Sequence, residues 1–147
     1  MHVLIKRFTE LNTDELYDLL ALRTAIFVVE QNIIYQDMDF RDQEAFHVLL
    51  YADDEMIGYA RVLPFKDGEG MSFGRVLVKQ SSRGLKAGEQ LVQHCLTFLE
   101  QEYPGQPVTI YAQEYLRKFY GKFGFKAISE PFDLEGIMHL LMRKSEP

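Results

Sequence analysis

The clearest chemical signal is Ser81-Ser82-Arg83-Gly84-Leu85-Lys86-Ala87-Gly88, which joins a β-rich segment to a long helical pattern. A glycine-containing turn that opens a helix presents unpaired backbone N–H groups and the positive end of the helix dipole to an anion. Arg83 and Lys86 add positive charge there. The spacing fits neither the Walker pattern, which needs Gly-Lys-Ser/Thr, nor the dinucleotide fingerprint, whose glycines are spaced differently. Phosphate binding and a plain strand-to-helix connection both remain open at this level. Among the groups that could move a proton are two histidines, His47 and His139. An imidazole suits that task, with an ordinary pKa of about 6.5. Yet both histidines lie in apolar runs, where a lone histidine is more often a packed, satisfied residue. Asp37, Asp39, Asp42 and His47 form the one metal-like grouping. Their spacing matches no metal template, and carboxylates in an irregular turn are usually solvated.

These residues need elements to position them. Residues 3–8 read as a strand. Leu16, Leu19, Leu20, Arg23, Ile26 and Phe27 recur at helical spacing, with Thr13 as the expected N-cap. Residues 32–44 have no clean period. The β-rich runs 46–52 and 56–64 suggest a hairpin across Asp53-Asp54-Glu55. A turn at 66–70 and a strand at 71–79 precede the glycine-containing connection. The helix after it buries Leu91, Cys95, Leu96 and Leu99 and stops at Pro104-Gly105. A strand at 107–112, a short helix at about 114–122 and a β-rich tail at 123–142, broken by PFDLEG, complete the chain. This order predicts a mixed sheet with helices on both faces, α/β or α+β.

Composition narrows the function classes. The 147 residues carry 16 Lys+Arg against 22 Asp+Glu, a net charge of −6, which argues against a general nucleic-acid binder. Length favours one domain spanning 1–147. The single cysteine, Cys95, excludes an intrachain disulfide and a cysteine zinc cluster. No apolar run approaches the roughly 20 residues of a membrane span. With no secretory pattern at the N-terminus, the expectation is a cytoplasmic protein without nucleic-acid or membrane partners. A homodimer is left open.

Two motifs in order carry a family resemblance. FGRVLVKQSSRGLKAG resembles motif A of the GCN5-related N-acetyltransferases (GNAT), Gln/Arg-x-x-Gly-x-Gly/Ala, with Arg83 and Gly88 at its ends and Lys86 where the middle glycine stands. AQEYLRKFYGKFGF, residues 112–125, resembles motif B. ELYDLLALRTAIFVVEQNIIYQDMD, the His47 strand and LEGIMHLLM are similar to the ElaA-like branch of that family.

The resemblance implies a mostly antiparallel mixed sheet splayed between its fourth and fifth strands, with acetyl-CoA in the gap. Val76, Leu77 and Val78 would supply backbone groups to the pantetheine and acetyl carbonyl. The N–H groups of Arg83, Gly84, Leu85, Lys86, Ala87 and Gly88 would take the pyrophosphate. Gln113 stands at a cofactor-contacting asparagine position, and Tyr120 at that of the acid that protonates the departing thiolate. No metal is implied. A helix entry at negative φ tolerates lysine and only a position needing positive φ would exclude it, so binding is expected to survive Lys86. The general base stays open among Glu30, His47, Glu135, His139 and water, and these four side chains are the candidates for touching the acceptor. The implied reaction is acetyl transfer to a primary amine of a small molecule or peptide; a non-catalytic CoA-binding or ligand-sensing module on the same fold is the alternative. In the family, the loop after the first helices lines the acceptor side. The acidic residues Asp37, Asp39, Asp42, Glu44, Asp53, Asp54 and Glu55 therefore predict a cationic acceptor. Lys79, Arg83, Lys86, Arg117, Lys118 and Lys122 would draw the anionic cofactor.

Overall fold

The computed structural model describes residues 1–84 and 86–144. Strand β1 (His2–Arg7) leads to helix α1 (Thr13–Arg23). Asn12, not Thr13, caps that helix. Its side chain accepts the Glu15 N–H at 2.7 Å while Glu15 Oε1 accepts the Asn12 N–H at 2.9 Å, a reciprocal capping box. The helix then widens into a π-helical stretch, Thr24–Glu30, with Gln31 donating to the Ile26 carbonyl. Such widened turns are rare and gather at functional sites. This one carries Ile26, Phe27 and Glu30 to the edge of a cleft.

Strands β2 (Phe46–Ala52), β3 (Glu55–Pro64) and β4 (Met71–Val78) complete an antiparallel sheet in the order β1-β2-β3-β4. The β2–β3 turn is one residue shorter than expected: Glu55 already pairs with Ala52, and Asp53 takes φ 54° to close the connection. Helix α2 (Ala87–Glu102) covers one face of this sheet. Strand β5 (Thr109–Gln113), helix α3 (Arg117–Gly121) and strands β6 (Phe125–Ala127), β7 (Phe132–Leu134) and β8 (Ile137–Lys144) follow. In the second sheet β8 lies between β5 and both β6 and β7. PFDLEG is thus not a break. It supplies β7 and a two-residue turn in which Glu135 (φ 52°) and Gly136 (φ 81°) are both left-handed, as a type I′ hairpin requires.

Strand alternation distributes the core over both faces. Val48, Leu50, Ala60 and Val62 meet Leu91, Val92 and Cys95 of α2, while Leu49 and Tyr59 meet Leu19 and Ile26 on the α1 face. Gly58 lets α2 sit close, since a Cβ there would lie 3.0 Å from Leu91 Cδ1 and 3.2 Å from the Leu77 carbonyl. Among the described residues no helix is long and apolar enough to cross a membrane.

Among the described residues the two sheets pair at one end. Met71 bridges Val108 in parallel and donates to the Pro107 carbonyl at 2.9 Å. Gly70, at φ 87°, stands against Pro107 where a Cβ would collide with its carbonyl. Beyond that point β4 and β5 diverge, which is the predicted splay.

Candidate active site

The divergence opens a cleft of about 1000 Å³. Its β4 wall is bulged. Tyr59 pairs with Leu77 but Arg61 with Gly74, so β4 carries one extra residue, and Arg75 sits there at φ 50°. A bulge removes peptide groups from the ladder and re-aims them. Past the bulge, Lys79 donates to the Ile57 carbonyl at 2.7 Å, so alternation turns the peptide groups of Leu77 toward Tyr59 and those of Val78 toward the open edge. This corrects part of the sequence expectation. Val76 and Val78 face the gap, whereas Leu77 spends its backbone on β3 and its side chain on the α1 cluster.

At the far end lies the entry of α2. Gly84 takes φ 93° with open space where a Cβ would be, and a Cβ on Gly88 would find only Phe119 Cζ, at 4.0 Å. The first-turn N–H groups of Ala87 and Gly88 border an open cradle whose geometry suits a phosphate. Lys86 departs from expectation: it is left-handed, φ 59° and ψ 23°, the conformation a glycine would adopt freely. Leu85 lies outside the described residues. Arg83 reaches back across the cleft, its guanidinium 2.8 Å from Glu30 and its Nε donating to the Val78 carbonyl at 3.2 Å. The other basic residues on this side include Lys79, paired with Glu55 at 2.8 Å, and Lys122, paired with Glu89 at 2.6 Å.

Tyr120 enters from α3, packed against Phe73, Phe119 and Phe125. It borders the cleft, and its hydroxyl has no hydrogen-bond partner among the described residues. Burial, then neighbouring Cys95 and Tyr115, push the phenol above its ordinary range, so it stays protonated at neutral pH. Gln113 ends β5 in register with His139 of β8, and both border the cleft. Glu135 sits exposed on the β7–β8 turn at the same opening.

His47 is not part of this site. It is fully buried, its Nε2–H donates to the Asp42 carbonyl at 2.9 Å, and its Nδ1 accepts from the Tyr59 hydroxyl at 2.6 Å. Both ring nitrogens are spent, and the ring has no exposed surface. Burial lowers its pKa, so the ring is neutral.

The aspartates also differ from expectation. Arg23, wholly buried, holds Asp37 at 2.6 Å and Asp42 at 2.8 Å. Arg61 grips both oxygens of Asp39 at 2.8 Å and touches Asp42 at 2.9 Å. Arg75 reaches from the bulge to Asp37 at 2.7 Å and to the Asp37 carbonyl at 2.9 Å. Each carboxylate is matched by a guanidinium, which overturns the expectation of an exported negative field from Asp37, Asp39 and Asp42. The arginines come from α1, β3 and β4, far away in sequence. A signal existed: Arg23 falls on the apolar stripe of α1, and Arg61 and Arg75 interrupt apolar strands. Two further cleft groups went unnoticed, Tyr111 and Asp67, whose hydroxyl and carboxylate hydrogen-bond.

A family model described as an acetyltransferase (GNAT) domain matches residues 14–146. Protein ElaA of Escherichia coli is 41% identical over 139 residues, 92% of this chain and 91% of ElaA. The crystal structure of E. coli ElaA superposes with a TM-score of 0.91, covering 98% of this chain and 99% of that one at 38% identity. An acyl-CoA N-acyltransferase from Pseudomonas aeruginosa also gives 0.91, at 33% identity over 99% of this chain and 100% of its own.

Proposed function

Because the chain belongs to the GNAT acetyltransferase family, we propose that it carries the acetyl group of acetyl-CoA directly to a primary amine within a ternary complex. One observation carries this reading: a single cleft brings together the α2 entry, the free β4 edge and the protonated Tyr120. The α2 N–H groups would hold the pyrophosphate, with the Arg83 guanidinium lending positive charge beside them while it stays paired with Glu30. Val76 and Val78 would pair with the pantetheine along the open strand. Peptide groups freed by the bulge at Gly74–Val76 would meet the oxyanion that develops on the acetyl carbonyl, where fixed donors count most. The departing thiolate, whose thiol has a pKa of about 8.5, benefits from a proton donor, and the Tyr120 hydroxyl would protonate it. The name of the P. aeruginosa relative, an acyl-CoA N-acyltransferase, supports the donor class.

Two variants test the reading. Calorimetry on Arg83→Ala should show weaker acetyl-CoA binding. Tyr120→Phe removes only the hydroxyl, so affinity for acetyl-CoA should hold while turnover, followed by thiol release with a panel of amines, falls roughly 10²–10⁴-fold. A Tyr120→Phe protein that turns over like wild type refutes the acid role. A wild-type protein that binds acetyl-CoA but acetylates no amine supports the ligand-sensing alternative.

A further inference from the structure

An alkyl ammonium must lose a proton before its nitrogen can attack, and the groups above leave that step without an acceptor. We infer that His139 Nε2 takes this proton, an assignment that rests on the transfer reading above.

The other candidates are spent or misplaced. Glu30 is bound to Arg83. His47 is buried with both nitrogens engaged. Asp39 is held by both guanidinium nitrogens of Arg61, and although burial alone would raise its pKa, those bonds leave it far below the ordinary carboxylate range. Asp67 accepts from Tyr111. Glu135 borders the same opening, but on an exposed turn where no hydrogen bond among the described residues fixes its carboxylate.

His139 differs in three respects. Its Nδ1 lies 2.8 Å from the Ile137 carbonyl, which can only accept, so Nδ1 carries the hydrogen and Nε2 keeps its lone pair. The ring stacks at 29° on Phe132 of β7, with centroids 6.3 Å apart, which fixes its plane. Finally, Leu140 and Met142 point into the core, so alternation puts His139 on the opposite face of β8, beside Gln113 and bordering the same cleft as the β4 bulge and Tyr120. The titratable and charged groups on the surrounding elements are Tyr111 on β5, Glu114 and Tyr115 after it, Asp133 on β7, Glu135 in the turn, Arg143 on β8, and Arg75 across the gap. Asp133 is occupied by the Gly136 N–H, and Arg75 by Asp37.

The step balances as follows. The ammonium gives one proton to Nε2, and the nitrogen lone pair then forms the N–C bond. The C–S bond breaks, and the thiolate takes the Tyr120 proton. The nitrogen's second surplus proton returns to the tyrosinate, and the imidazolium releases its own to solvent. Amide, thiol and one proton leave the enzyme.

His139→Asn tests this, because the asparagine amide preserves the donor to Ile137 and deletes Nε2. With spermidine, a lysine-containing peptide and phenethylamine as probes, turnover should fall 10²–10⁴-fold at neutral pH while acetyl-CoA affinity by calorimetry stays unchanged. Wild-type activity should decline at acid pH, whereas the variant's should climb steadily as the amine sheds its own proton. An arylamine, already neutral, should show almost no defect. In ¹⁵N spectra of the free protein, His139 should appear as the Nδ1–H tautomer. An Nε2–H tautomer, or a variant with wild-type rate and pH profile on any alkyl amine that wild type acetylates, overturns the assignment and leaves the transfer reading intact. If wild type acetylates none of the probes, the transfer reading fails and the assignment falls with it.

Discussion

Lys86 holds a left-handed conformation at the mouth of the cradle at the α2 entry, where the motif that this segment resembles has glycine. For a residue with a Cβ that conformation costs roughly 1–2 kcal/mol. Glycine would remove the strain but add unfolded-state freedom worth roughly 0.4–1 kcal/mol. The first effect is larger, so Lys86→Gly should stabilise the protein and raise Tm by roughly 1–4 °C for a chain of this size. Its backbone N–H would still face the cradle, so acetyl-CoA affinity should change only by the loss of one exposed ammonium. Thermal unfolding decides it: an unchanged or lower Tm means the lysine side chain supports this turn in a way the backbone does not show.

At the scale of elements, the guanidinium–carboxylate network binds α1, the 32–44 segment, β3 and the β4 bulge into one unit. Asp37 is the hinge of this unit, since Arg23 and Arg75 approach it from opposite sides while the Tyr35 hydroxyl donates to it at 2.9 Å. The bulge is thus clamped from its own side chain, which holds Arg75 at positive φ and keeps neighbouring peptide groups off the ladder. Arg23→Leu keeps much of the volume but leaves three clustered carboxylates, Asp37, Asp39 and Asp42, to be balanced by Arg61 and Arg75 alone. Its cost should be about 3–5 kcal/mol, whereas an exposed pair such as Arg41–Glu44 should lose at most about 1 kcal/mol on Arg41→Ala. Urea unfolding of the two variants side by side checks the contrast; comparable losses would mean the network is solvated rather than buried.

Across the whole molecule, the buried ionisable groups set how stability responds to pH. His47 has a folded pKa lowered by burial, so the unfolded chain binds more protons once pH falls below about 6.5. Its contribution is present above that value and is lost as pH falls through the folded pKa. Asp39 and Asp42 are pushed up by burial but pulled down further by Arg61 and Arg23, so their contribution holds above about 4 and fails below it. Unfolding free energy should therefore decline in two stages on acidification. His47→Gln, measured by urea titration between about pH 4.5 and 7.5, should flatten the upper stage and leave the lower one. A variant with the wild-type slope between about pH 5 and 6.5 would place that proton uptake on another group.

Local signals were enough for the elements and for the family. Period, glycine and proline located the helices and most strands, because those choices are made within a few residues, and motifs A and B are contiguous. The same locality explains the errors at the Asn12 cap, the β2–β3 turn and the short β7, where one residue's φ or one hydrogen bond decides the boundary. Tertiary structure alone decided which charges are free. Asp37, Asp39 and Asp42 look like an open acidic face until Arg23, Arg61 and Arg75 arrive from other elements to neutralise them. It also separated two histidines that look alike in sequence, each in an apolar strand. Burial and two hydrogen bonds consume His47, whereas the splay between β4 and β5 leaves His139 beside open space. Solvent access and long-range pairing are properties of the packed chain, and no window of sequence contains them.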